Sequence, residues 1–182
     1  MMKHPRPVFI GLVGPSGSGK TTICEYLEAE YHFNTMHVAS PLKWAFCRMF
    51  DCSIAYTERP LIDQPADFLG GVKPRVVLEH MGQCIHAFAP EALPRTLVKR
   101  IDGVLRQGAT RILIDGIRRA TEIVNIHDRG GVVWRLGRGT VDTDKPCDLS
   151  QAEIICDHVI EDMPIPDLHA HLDSLVAPIL RG

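Results

Sequence analysis

Apolar and polar positions along the chain fall into two alternating rhythms. Five short runs are mainly apolar or β-branched: VFIGLV (8–13), TMHVA (35–39), RILID (111–115), VVWRL (132–136) and HVIED (158–162). The most continuous of these lack a polar alternate face and suit strands buried on both sides of a parallel sheet. Between the runs, apolar residues recur three and four apart, the spacing of a helix with one covered face. That spacing predicts helices over 21–31, 41–50, 75–87, 91–107, 121–129 and 166–180. Strands alternating with helices predict an α/β fold, a mainly parallel sheet with helices on both faces. The segment 51–74 breaks the rhythm and is rich in turn residues. It reads as an excursion over the edge of a site, because the pieces flanking it belong to one βα pattern.

The first strand runs into GLVGPSGSGKTT (11–22), where three glycines, two serines and a lysine follow an apolar run. Gly14, Gly19, Lys20 and Thr21 match the phosphate-loop spacing G-x-x-x-x-G-K-S/T, between a strand and a helix as that motif requires. Glycine lets backbone N–H groups turn inward around an anion, and the helix start adds partial positive charge. Gly14, Ser16, Gly17, Ser18, Gly19, Lys20, Thr21 and Thr22 are the expected ATP-binding residues. Lys20 would reach the β- and γ-phosphates, and the Thr21 hydroxyl would hold Mg²⁺.

Three further stretches place chemistry at predicted strand ends, where ligands bind in such folds. In ILIDGIRR (112–119), Asp115 closes a strand and can help hold hydrated Mg²⁺, and Arg118 follows within one turn. A guanidinium there can bridge phosphates bidentately, although a surface Asp–Arg pair at a helix start reads the same in isolation. In VASPLKWAF (38–46), Ser40 can cap a helix, Pro41 takes its first position and Lys43 lies in the first turn. A cation there works against the helix dipole, which a bound anion would explain. In WRLGRGTVDTDKPCDLSQAE (134–153), Arg135 and Arg138 precede a polar stretch, then a helix expected to be capped by Ser150 with Glu153. Arginines on a glycine-flanked loop could close over a transferring group, and a solvated loop is the other reading.

Composition narrows the function classes. The chain has 182 residues and a net charge of −2, with no basic tail or basic field to suggest a nucleic-acid partner. Its apolar runs are too short to span a membrane, and the basic-then-apolar start MMKHPRPVFIGLVG flows directly into the phosphate loop. The six cysteines form no C-x-x-C pair, so reduced, mostly buried thiols in a cytoplasmic protein are expected. His169 and His171 form an H-x-H pair that a helix would point to different faces, a weak basis for a metal site.

Taken in order, ASPLK, PRVVLEHMGQ (74–83), LIDGIRRATE (113–122), GGVVWRLGR (130–138) and LSQAEIICDHVIED (149–162) give the chain a family likeness. It resembles the deoxynucleoside monophosphate kinases of bacteriophages, members of the P-loop nucleoside monophosphate kinase group, over roughly residues 8–163. The resemblance implies a single P-loop kinase domain over 1–182, a three-layer α/β/α fold with a five-stranded parallel sheet, and Mg·ATP as donor. It implies an acceptor-binding excursion at 51–90 and a lid-like loop at 138–150. Carried over by position, Lys43, Arg75, Glu79, Gln83 and Arg118 would meet the acceptor nucleotide, and Arg135 and Arg138 would come from the lid. Lys20, Arg118, Arg138 and Asp115 would form the catalytic set, with Thr21 and Asp115 serving Mg²⁺ partly through water. The chain departs from the family pattern at His86, in place of an arginine, and at the closing turn Glu161-Asp162-Met163. Small-molecule nucleotides are the expected partners, without nucleic acid or membrane. A homodimer is plausible by the same likeness, as is the host cytoplasm if the source is viral.

Two other readings stay open. Phosphomevalonate and dephospho-coenzyme A kinases carry related stretches and would keep the chemistry with a different acceptor. A nucleotide-switched regulatory protein would want an N-K-x-D motif, which the sequence lacks.

Overall fold

A computed structural model of the chain describes residues 6–15, 17–137 and 154–181. Five strands form one sheet: β1 (Val8–Val13), β2 (Asn34–His37), β3 (Arg111–Ile117), β4 (Val132–Leu136) and β5 (His158–Ile160). Among the described residues six α-helices accompany them: α1 (Lys20–Tyr31), α2 (Ser40–Phe50), α3 (Pro74–Phe88), α4 (Ala92–Arg106), α5 (Ala120–His127) and α6 (Ile165–Arg181). The chain divides into two compact units, Met1–His37 with Arg100–Gly182, and Val38–Lys99.

The first unit holds the sheet, in the order β2-β3-β1-β4-β5, with every neighbouring pair parallel. The five-stranded parallel sheet expected from the apolar runs is borne out. One face is sealed by α1 and α6. Ile10, Leu12, Leu113 and Trp134 of the sheet pack with Ile23 and Leu27 of α1 and with Leu172 and Val176 of α6. Full burial of each such side chain contributes about 1.5–3 kcal/mol. On the other face α5 approaches so closely that a Cβ at Gly11 would stand 2.7 Å from both Ile117 Cδ1 and Ile126 Cδ1. Helices therefore cover both faces, giving the three layers α/β/α.

A polar clamp fastens α6 to α1. Asp173 Oδ1 accepts from Tyr26 Oη at 2.6 Å and from Tyr31 Oη at 2.7 Å, and the His169 ring stacks on Tyr26 at 3.9 Å. The Tyr26 and Tyr31 hydroxyls hold the Asp173 carboxyl below its ordinary value, and both phenols are in turn pushed up to about 12.

Three strand ends differ from expectation, among them that of β5, which stops at Ile160 and does not run on to Asp162. β2 stops at His37, and Val38 and Ala39 turn toward α2; Val38 is apolar because it is buried, at 5% exposure, not because it extends the strand. β3 runs on past Asp115 to Ile117 through an irregularity in its pairing with β1, where Gly11 faces Ile114 but Val13 faces Ile117. One extra residue of β3 is accommodated there, and Gly116 adopts φ 80, a conformation that glycine takes at no steric cost.

The second unit packs α2 against α3 and three 3₁₀ turns, Ile54–Thr57, Leu61–Asp63 and Asp67–Leu69. Its core is Leu42, Phe46, Ile62 and Leu78. The aperiodic segment is thus folded without regular helix or strand. The expected cap of α2 shifts by one position: Ser40 is the first helical residue, and Lys43 N–H already bonds to Ala39 O at 3.0 Å. Ser40 makes no side-chain cap, and Pro41 takes the second helical position.

Candidate phosphate site at the carboxyl edge of the sheet

The strand order makes one crevice. From β1 the chain passes over β3 to reach β2, and from β3 it passes over β1 to reach β4, so the connections leave the β1–β3 pair in opposite directions. A reversal of this kind opens a ligand crevice at the carboxyl ends of the two strands. The phosphate loop follows β1, and Asp115 and Arg118 lie at the end of β3.

Within the loop, Gly17 and Gly19 take φ of 84 and 94, conformations that other residues adopt at a cost. Gly14 has a different constraint: a Cβ there would lie 2.8 Å from Ser18 Oγ. Lys20 folds its ammonium back across the loop and donates to Gly14 O at 2.6 Å, Pro15 O at 2.7 Å and Ser18 Oγ at 3.3 Å. Helix α1 begins at Lys20 with no side-chain cap and no acidic residue in its first turn. Its leading N–H groups and the positive end of its dipole are therefore offered to an anion. Thr21 is exposed at that helix start and Thr22 half-buried. Beside them a cleft of about 80 Å³ is lined by Ser18, Gly19, Thr22, Leu136, Glu161 and Met163, a mixture of polar and apolar side chains.

Asp115 is nearly buried, at 8% exposure, and both carboxylate oxygens are engaged. Oδ1 accepts from Gly116 N–H at 2.6 Å, and Oδ2 lies 3.0 Å from His37 Nδ1. His37 was not singled out by the sequence patterns; it sits directly opposite Asp115 in the β2–β3 register. Asp115 also lies near α1, since its charge, after burial, pushes the buried Cys24 thiol up to about 12. Cys24 is three residues beyond Thr21, on the following turn of α1. A carboxylate and a hydroxyl are hard oxygen donors of the kind Mg²⁺ takes, and such ions keep several waters. The residues present therefore fit a hydrated Mg²⁺, which Asp115 would meet partly through water.

Arg118 leaves β3 and donates its N–H to Glu122 Oε2 at 2.8 Å, which also accepts from Arg119 N–H at 3.3 Å. Glu122 is 3% exposed, and burial pushes its carboxyl up. This residue too was missed: its glutamate at the third helical position is a recognisable helix-start signal, reaching back to backbone donors. Arg135 belongs to strand β4 itself, not to the loop after it, and donates to Ile154 O. Ser16, Arg138, Ser150, Glu153 and the loop 138–150 lie outside the described residues.

In the second unit the candidate cations are already paired. Lys43 Nζ donates to Glu58 Oε1 at 2.7 Å. Arg75 grips Asp63 with two donors, Nε to Oδ1 and Nη2 to Oδ2, the latter at 3.0 Å, and this guanidinium lowers the Asp63 pKa. Glu79 is half-buried on α3 and Gln83 is exposed one turn later. The described cysteines are all unpaired, as expected, but Cys24 alone among them is fully buried. Among the described residues no helix is long and apolar enough to cross a membrane, and no cluster of three or more His, Cys, Asp or Glu suits a metal ion. His169 and His171 diverge, toward Tyr26 and His158 respectively.

No family model matches the chain. In sequence it is similar to a provisionally named deoxynucleotide monophosphate kinase of Acanthamoeba polyphaga mimivirus, 28% identical over 150 residues, covering 75% of this chain and 77% of the relative. In structure it is similar to the dephospho-CoA kinase of Campylobacter jejuni, 10% identical with TM-score 0.52, covering 96% and 98% of the two chains. It is likewise similar to the Thermus thermophilus protein TT1252, 15% identical with TM-score 0.51, covering 97% and 98%. A sugar kinase of Janibacter sp. HTCC2649 matches at 16% identity and TM-score 0.51, covering 95% of each chain. At these identities the structural likeness is one of fold. The chain has the fold of the P-loop kinases, and in sequence it resembles a viral protein provisionally named a deoxynucleotide monophosphate kinase.

Proposed function

We propose that the chain transfers the γ-phosphoryl group of ATP to a (deoxy)nucleoside monophosphate, giving ADP and the diphosphate. The observation that carries this is the phosphate loop itself: an uncapped helix start, left-handed glycines and a lysine folded over the loop, beside Asp115 at the end of β3. The acceptor class rests on the mimivirus relative and on the family stretches in the sequence.

In this reading the γ- and β-phosphates displace Lys20 from its carbonyl partners, and its ammonium moves onto phosphate oxygens. The cleft beside Ser18 and Thr22, with its apolar Leu136 and Met163, takes the uncharged part of the donor. Thr21 and Asp115 hold Mg²⁺, which when bound neutralises charge developing on the transferred group. Lys43 and Arg75 bind the acceptor phosphate, exchanging their carboxylate partners for it, and Glu79 and Gln83 address its base. Arg118 and Arg138, with Arg135, serve the transferring group. An acceptor oxygen forms the new P–O bond as the β–γ bridging bond breaks and ADP leaves. This is in-line displacement needing positioning and charge rather than a covalent intermediate.

The test is an ADP-release assay with Mg·ATP against dAMP, dGMP, dCMP, dTMP, their ribo-counterparts, phosphomevalonate and dephospho-coenzyme A. Turnover with one or more nucleoside monophosphates is the expected result. Turnover with only one of the last two would replace the acceptor. Slow hydrolysis indifferent to every acceptor would overturn the kinase reading in favour of a nucleotide switch.

A further inference from the structure

The proposed function leaves His37 without a task, yet this residue occupies a constrained place. It ends β2, directly opposite Asp115 of β3, and its backbone carbonyl accepts from Arg100 Nη1 at 2.9 Å. Its side chain is 49% exposed while that of Asp115 is 11% exposed, so the imidazole forms the outer wall of a nearly buried carboxylate. Nδ1 of the ring lies 3.0 Å from Oδ2, a polar contact that sets the imidazole against the carboxylate. With Gly116 N–H on Oδ1, each oxygen of the carboxylate has one polar neighbour.

We infer that His37 is a positioning residue for Asp115, setting the orientation in which that carboxylate meets a hydrated divalent cation beside the phosphate loop. The inference rests on the proposed donor site. Without the imidazole, Asp115 keeps its Gly116 contact but is free to rotate, and the site loses part of its geometry. Outer-shell partners of this kind are worth about 10- to 100-fold in metal affinity.

The experiment uses Mn²⁺ as the probe, its binding followed by electron paramagnetic resonance with the full chain and a non-hydrolysable ATP analogue. His37→Ala should weaken Mn²⁺ in the ternary complex by about tenfold or more, with affinity for the metal-free analogue unchanged. An amide nitrogen in His37→Asn falls near the place of Nδ1, whereas in His37→Gln it falls near Nε2. Asparagine should therefore restore Mn²⁺ affinity and glutamine should not, a distinction that a merely structural role would not produce. Equal Mn²⁺ affinity in wild type and His37→Ala, or equal rescue by glutamine and asparagine, overturns this inference and leaves the proposed function standing. A wild-type chain that takes up no Mn²⁺ with the nucleotide overturns both.

Discussion

Glu58 holds Lys43 at 2.7 Å in a pair whose glutamate side chain is 61% exposed. A pair so open to water is worth little, commonly 1 kcal/mol or less on the order-of-magnitude scale of surface ion pairs. A dianionic phosphate competes with such a carboxylate easily. Glu58→Gln should therefore lower KM for the acceptor by a few fold with kcat little changed, measured by varying acceptor at saturating Mg·ATP. An unchanged KM would remove Lys43 from the acceptor site.

Lys20 bonds to three acceptors of its own loop, so its removal costs contacts that a folded loop can replace with water. Lys20→Ala should keep the melting temperature near that of wild type while turnover falls on the order of 10²–10³-fold or more, the scale for losing one preorganised electrostatic group. Parallel thermal melts and ADP-release rates check both halves.

The fold was legible in the sequence wherever a local pattern sufficed. Parallel strands covered on both faces read as continuous apolar runs, and the phosphate loop is one contiguous motif. The contacts that organise the site were not legible, because each joins residues that only tertiary structure brings together. His37 meets Asp115 across a strand pair, and Gly116, which follows the strand expected from the sequence, lies inside β3. Glu58 and Asp63 sit among 3₁₀ turns, whose short runs leave no periodicity to read.

Glu122 satisfies two backbone donors from a site almost closed to water. Glu122→Ala should cost about 1–3 kcal/mol, the scale for stranding buried hydrogen-bonding groups. Urea unfolding would give that figure as a lower midpoint. Because Glu122 sets the backbone of Arg118, turnover should fall as well; a variant of unaltered stability would show that water reaches this turn.

Asp173 supplies an acid-sensitive hold on α6. Its pKa lies below the ordinary 3.8, chiefly through the Tyr26 hydroxyl and then the Tyr31 hydroxyl. A depressed carboxyl stabilises the folded state above its unfolded value, and that stabilisation is lost as pH falls through the lower folded value. Melting temperature should drop more steeply below about pH 4 in wild type than in Asp173→Asn. Identical acid limbs would mean that the two tyrosines do not favour the charged form.

The extra residue in β3 separates two kinds of information carried by one strand. Before it, Gly11 is paired with Ile114; after it, Val13 is paired with Ile117, whose side chain lies over Gly11 on the packed face. Deleting Gly116 would leave Ile117 opposite Val13 in an uninterrupted ladder, and the core would keep its register. Asp115 would lose the bulge that aims the following N–H at its Oδ1, and with it the direction of its carboxylate. The insertion thus works as a hinge point between what the chain needs to fold and what it needs to react. A change there can silence the chemistry while the core packs as before.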